Sequence, residues 1–251
     1  MKNLTSTYII RLLVDLQVSS FGDEEFRRIF GLRRPQAYQV LHRLADAGLL
    51  RRIARGRYIL GGPGEGATLA QPFFLATRIV EPSYIGFWSA LHYYGWTEQA
   101  PRQVMVATTR RSGRGRVERI AVRFVRLRPA RFFGYTNVRE GTVEFAIAER
   151  EKAIVDALLL PELCGGMETV AGAVGEAIPH LEVPRLEDYA LRVGVRSLAS
   201  RLGYLLARSG VGSDALAAAR SGVYVRLDPR GPRRGRYDSR SRVIDNLPQG
   251  A

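Results

Sequence analysis

A chain of 251 residues, 46% hydrophobic and 25% charged, has the composition of a globular protein with room for one large or two small domains, which excludes disorder over most of its length. The single cysteine, Cys164, excludes an internal disulfide; the three histidines, His42, His92 and His180, are far apart and give no zinc or haem spacing; no run of about 18 apolar residues offers a membrane span. The formal net charge is +14, and every one of the 38 basic residues except Lys2 and Lys152 is arginine. An arginine-rich genome or a hot habitat accounts for that choice of base, but not for the excess of base over acid. The excess favours a polyanionic partner, most often nucleic acid, which guanidinium groups grip in a bidentate fork.

Tyr8, Ile9, Leu12, Leu13 and Leu16 recur at helical spacing and predict a first helix over 6–18. Arg11 and Asp15 interrupt its apolar run, so it reads as an amphipathic helix and not as a signal peptide, and a cytoplasmic location is expected. "SSFG" reads as a loop and cap. "DEEFRRIF" places acids in its first turn, at the positive end of the helix dipole, with Phe26, Ile29 and Phe30 as its buried side. "GLRRP" is a short turn, and Pro35 suits a first helical position. The third helix spans 35–47 on a stripe of Ala37, Val40, Leu41 and Leu44, and Gly48 stops it. "LLRRIARGRYIL" then reads as two short strands joined at Ala54-Arg55-Gly56. Three helices, a tight turn between the second and third, and a hairpin make a winged helix-turn-helix.

The stretch 33–60 carries seven arginines, and residues 1–62 hold 11 basic against 5 acidic residues. The apolar stripe pins the third helix and leaves Arg33, Arg34, Gln36, Gln39, His42 and Arg43 to face outward. Such side chains read base edges and hold phosphates in a major groove. Arg55 and Arg57 sit at the wing tip, where a further phosphate or minor-groove contact falls. The competing reading is a small helical domain whose basic face binds a protein.

"GGPGEGA" marks a linker. The expected organisation is therefore a winged helix over 1–62, a Gly-rich linker over 63–70, and a second part over 71–251. That part is mixed α/β to about 165, with a mainly antiparallel sheet, and a mainly helical lobe over 166–251. The fold class expected for the whole is α+β. Within the second part, "FWSALHYYGWTEQAP" is helical through about Tyr94, "RQVMVATTR" and "VERIAVRFVRL" are strands, and "RSGRGR" is a flexible basic turn between them. "YTNVREGTVEFAIA" is a hairpin bending at Arg139-Glu140-Gly141, and "EREKAIVDALLLPEL" is a helix whose apolar face is Ile154, Val155, Leu158 and Leu159. Helices follow near 168–177, 186–193 and 195–208, then a short strand, a basic loop and a closing strand.

Catalytic motifs are sparse. A metal nuclease needs acids and a lysine alternating on one strand so that they converge. Glu149, Glu151 and Lys152 instead begin a helix, and the last two are adjacent and point apart. No P-loop or dinucleotide glycine pattern opens a helix, and His92, among apolar and aromatic residues, reads as packed. No cofactor or metal ligand set is expected. The stretch 110–131 holds nine arginines and one glutamate. It reads either as a second anionic surface, centred on Arg110, Arg111, Arg114 and Arg116, or as compositional bias on an exposed hairpin.

The N-terminal pattern, followed by "YIGFWSALHYYGWTEQAPRQVMVATTR", "FFGY", "IAEREKAIVDALLLPELCGG" and "SLASRLGYLLARSG", resembles the AbiEi antitoxins of bacterial and archaeal type IV toxin–antitoxin systems, over roughly residues 21–227. The resemblance implies a winged helix that binds inverted repeats in the operon's own promoter and represses it. It also implies a C-terminal part that counters a nucleotidyltransferase toxin of the AbiEii type, without a stable complex, in abortive infection. It places the DNA-reading role on residues 33–43, with Arg55 and Arg57 in the wing, and brings no catalytic residues. A stand-alone regulator without a toxin partner, or a nucleic-acid-processing enzyme, are the alternatives.

Overall fold

The computed structural model describes residues 4–16, 18, 20–61, 70–110, 113–117, 119–141 and 143–248. The expected linker, apart from the backbone of Ala70, and Arg111 lie outside the described residues.

Helix α1 (Ser6–Asp15) begins where the Thr5 hydroxyl accepts from the Tyr8 N–H at 3.3 Å, and it buries Ile9 and Leu13. It ends short of the expected residue 18, with Leu16 as its half-exposed C-cap, while Val18 packs against the N-terminal core beyond the helix end. Strand β1 (Ser20–Gly22) replaces the loop expected at "SSFG". Its backbone pairs antiparallel with a later strand, and Phe21 is buried against Phe26, the ring centroids 5.3 Å apart. Helix α2 (Asp23–Phe30) carries three acids in its first turn and closes on Gly31 at φ 64°, a left-handed stop. Helix α3 (Arg34–Asp46) starts with Pro35 and a cap in which the Gln36 side chain accepts the Arg33 N–H at 3.1 Å. Ala37, Leu41 and Leu44 are buried, as the stripe predicts. Strands β2 (Leu50–Ala54) and β3 (Arg57–Leu60) form the hairpin, turning through Gly56 at φ 70°. The three-stranded sheet has the order β1-β3-β2.

Alternation along β3 ties this unit to the rest of the chain. Tyr58 points into the N-terminal core with Phe21 and Phe26, whereas its neighbour Ile59, like Ile53 on β2, belongs to the large core of the remaining chain. The hairpin is thus held on both faces.

The larger part runs α4 (Ala70–Ile79), β4 (Ser83–Ile85), α5 (Phe87–Tyr93), β5 (Val104–Thr108), β6 (Gly113–Val117), β7 (Ile120–Arg126), β8 (Tyr135–Glu140), β9 (Val143–Ala148) and α6 (Arg150–Leu159). Its sheet has the order β6-β7-β5-β4-β9-β8. The pairs β6/β7, β4/β5 and β8/β9 are antiparallel, and β5/β7 and β4/β9 are parallel. Helices α7 (Met167–Ala177), α8 (Val183–Val193), α9 (Arg196–Arg208) and α10 (Asp214–Ala219) follow. The short strands β10 (Val225–Arg226), β11 (Arg236–Asp238) and β12 (Val243–Asp245) end the chain's regular structure. The fold class is α+β.

Two expectations for this part are corrected. "RSGRGR" is not a turn: residues 113–117 are the edge strand β6, whose glycines stand opposite Phe124 and Val122 and alternate with exposed arginines. Helix α6 has no solvent face over Glu151–Leu158. It is packed against α5, α7, α8 and α9, so Glu151, Lys152 and Asp156 are buried along with the apolar residues.

Candidate nucleic-acid interface

The side chains left outward by the α3 stripe form a row that the rest of the chain does not cover. Arg33, Arg34, Gln39, His42 and Arg43 are exposed, and Arg55 is exposed at the β2/β3 hairpin turn. Several are engaged within the molecule. The Gln36 oxygen is used in the helix cap. His42 Nδ1 lies 2.7 Å from Asp46 Oδ2, one turn on. Arg43 donates to the Leu4 carbonyl at 2.9 Å, pinning the start of α1. Arg57, half-buried, points away from the row and meets Glu81 at 3.3 Å. Its cation is therefore committed to the larger part of the chain.

A hollow of about 410 Å³ lies between α3 and the hairpin turn. Arg34 and Tyr38 line it from α3, Arg52 and Arg55 from the hairpin, and Arg27 from α2. Arg27, Tyr38 and Arg52 are not among the outward residues expected from the sequence pattern. Tyr38 is 66% exposed, and its ring stands 6.2 Å from that of His42. The signal that finds it is spacing: Arg34, Tyr38 and His42 recur every four residues and share one helical row.

The second basic surface is less concentrated. Arg110 is exposed and its Nε donates to the Glu81 carbonyl at 3.2 Å, so it braces the same segment that Arg57 meets. Arg114 and Arg116 are exposed on β6, and Arg114 stands directly opposite Arg123 of β7. Like charges facing across strands repel.

The nuclease candidates have other partners. Glu149 accepts the Tyr189 hydroxyl, which pushes that phenol up to about 12 together with its burial. Glu151 accepts the Glu182 N–H at 2.9 Å. Lys152 donates to the Tyr84 hydroxyl at 2.8 Å and to Asp156, and Tyr84 donates to Asp156 at 2.8 Å. Burial lowers the Lys152 ammonium and raises the Asp156 carboxyl, while each partner's charge opposes the other's shift. Such a closed triad, with Lys152 and Asp156 wholly out of water, is a buried polar clasp between α6 and β4. His92 is half-buried, with Nδ1 3.4 Å from the Thr97 carbonyl. A larger hollow, about 660 Å³, lies between α7, α9 and the C-terminal strands. Its Asp245 is already engaged by the Tyr204 hydroxyl at 2.6 Å and by Arg208 at 3.7 Å. Among the described residues no three His, Cys, Asp or Glu side chains gather as a metal site, and no helix is long and apolar enough to cross a membrane.

The fold and this surface define an α+β protein with a basic helix-and-hairpin face at its N-terminal end. No family model matches the chain, and no curated protein matches it. Among solved structures it is similar to the crystal structure of the RV2827C protein from Mycobacterium tuberculosis, at 16% identity and a TM-score of 0.59. The match covers 96% of this chain and 91% of that one. At that identity the likeness extends to the fold.

Proposed function

We propose that the protein is a cytoplasmic DNA-binding repressor that autoregulates its operon and acts as an antitoxin against a nucleotidyltransferase toxin. The order of α1, β1, α2, α3, β2 and β3 is read as a winged helix. Helix α3 enters the major groove at inverted repeats in the promoter, and the Arg55 turn lies against the flanking backbone. One observation carries this reading: Arg34 and Arg55 stand exposed at one basic hollow, and Gln39 is exposed on the same helix as Arg34. The partners already held by Glu149, Glu151 and Lys152 favour a binding protein over a nuclease. The antitoxin half of the proposal rests on the sequence resemblance. Its candidate surface is Arg110, Arg114 and Arg116, where the facing Arg114 and Arg123 would be relieved by an anion.

The test is a gel shift with the gene's own upstream region, repeated across salt concentrations. With about five phosphates neutralised, the log–log slope is roughly −4 to −5. A flat salt response, or no retardation, overturns the DNA reading. Rescue of growth when a neighbouring nucleotidyltransferase is expressed tests the antitoxin half separately.

A further inference from the structure

We infer that the hollow between α2, α3 and the wing is a seat for one backbone phosphate of duplex DNA, with Arg27 and Arg52 as its inner donors. This inference rests on the DNA-binding reading and adds to it an element, α2, that the outward row of α3 does not include.

Four arginines, Arg27, Arg34, Arg52 and Arg55, line a space of about 410 Å³. Asp23 is the carboxylate among the lining residues; it accepts the Glu24 N–H at 3.0 Å and keeps its charge, which leaves four arginines against one carboxylate. The hollow is therefore strongly cationic, and like charges brought together on three elements repel unless an anion sits among them. Arg27 adds a specific sign. Its Nε is buried and has no hydrogen-bond partner among the described residues. A buried N–H with no acceptor is rare in native proteins, and a missing ligand is one of its ordinary explanations. Arg52 is exposed and uses its Nε on the Ala54 carbonyl at 3.3 Å, which fixes the base of its guanidinium and leaves the two terminal nitrogens for a ligand.

The hollow also has rigid walls. The Asp23 N–H donates to the Gly56 carbonyl at 3.0 Å, so the wing turn is tied to the start of α2. A Cβ on Gly56 would lie 3.3 Å from the Asp23 carboxylate, and Gly56 has φ +70°, so glycine suits this closure on both counts. A fixed distance between α2 and the wing suits an anion of fixed size and position, as on a helical backbone. A phosphodiester has the two non-bridging oxygens that a guanidinium fork matches.

The experiment is fluorescence anisotropy of the full chain on its own upstream duplex and on a random duplex of equal length, across salt. Three variants are compared: Arg27→Met, Arg52→Met, and Arg28→Met, the last being exposed on the same helix and not part of the hollow. Arg27→Met and Arg52→Met should each weaken both duplexes alike, by roughly tenfold. Each should also make the salt slope shallower, by up to about 0.9, the share of the one phosphate they hold together. Arg28→Met should leave the slope in place. If the wild type binds but Arg27→Met and Arg52→Met keep its slope, the seat is wrong while the DNA reading stands. If Arg28→Met has the same effect as the other two, the attraction is diffuse and the seat is equally wrong. If the wild type binds neither duplex, the DNA reading itself has failed. Arg52 is exposed, so its variant informs the outcome even if Arg27→Met folds poorly.

Discussion

Replacing Lys152 by methionine keeps the length of the side chain and removes its ammonium. In the native protein that ammonium is fully buried and lies 5.4 Å and 5.1 Å from the ring centroids of Tyr84 and Phe133. The variant leaves Asp156, also fully buried, with the Tyr84 hydroxyl at 2.8 Å as its side-chain donor. Removing one partner of a buried ion pair costs about 3–5 kcal/mol. A chain of this size shifts its Tm by about 2–4 °C per kcal/mol, so the expected loss is about 6–20 °C. Thermal unfolding followed by circular dichroism reads it directly. Two further arms separate charge from packing. Burial already raises the Asp156 carboxyl, and the variant removes the cation that opposes this. A carboxyl whose folded pKa lies above its unfolded value stabilises the fold below the unfolded value, and that stability is lost as pH rises through the folded one. The deficit of Lys152→Met should therefore be smaller at about pH 5 than at about pH 8. Adding Asp156→Leu should restore much of the loss, because an apolar replacement of the whole pair is often neutral. A single variant that melts with the wild type, or a double variant that loses the sum of two single losses, would refute the clasp.

Arg34→Ala or Gln39→Ala should cost about 1–3 kcal/mol on the protein's own site and little on random duplex, whereas Arg55→Ala should weaken both alike. Equal losses on every sequence for all three, measured by anisotropy, would mean that α3 is not the reading helix. Gly134→Ala should lower the urea midpoint, because φ is +67° there and the new Cβ would lie 2.8 Å from the Tyr189 ring and 3.2 Å from Lys152 Cβ. The left-handed backbone alone costs about 1–2 kcal/mol, so an unchanged midpoint contradicts the packing described. Burial, then the hydrogen bond to Asp245, raises the Tyr204 hydroxyl from 10.0 to about 12. The stability linked to it is complete below the unfolded value and drains away as pH rises across that interval. Tyr204→Phe should then lose less stability than the wild type between those pH values, and parallel curves for the two proteins would argue against the bond.

The long helices were legible because period and stops agree. The expected segments near 168–177 and 195–208 became α7 (Met167–Ala177) and α9 (Arg196–Arg208). Short strands carry too few residues for a period to show. Strand β1 exists because Ser20–Gly22 meets β3, which follows two helices later, and no local window contains that partner. Strand β6 hid its alternation in a different way. Gly113 and Gly115 alternate with arginines and stand opposite Phe124 and Val122, so no side chain marks that face and "GRGRV" reads as flexible although it is a strand. Helix α6 shows the limit of periodicity itself. Its apolar residues predicted one buried face, but the polar face proved buried too, because helices pack on several sides and Tyr84 from a distant strand receives the charges.

The same limit shapes the candidate interface. A stripe tells which side chains leave the core, not which neighbours they then meet. Arg57 emerged from the pattern as a wing contact, yet Glu81, outside the N-terminal helices and hairpin, lies 3.3 Å from it. Gln36 emerged as a base reader, yet its oxygen closes the cap of its own helix. Arg27 was not singled out because it sits on α2, whose pattern marks only Phe26, Ile29 and Phe30 as notable. Folding brings it beside Arg34 and Arg52, and the lining cations come from α2, α3 and the hairpin together. An acidic peptide could answer one such helix. Cations held at fixed separations on three elements are better matched by a polymer with charge at regular intervals, and the two cases differ in salt dependence. Duplex DNA releases condensed counterions in proportion to the phosphates met, so removing Arg27 or Arg52 from the hollow should change the slope as well as the affinity.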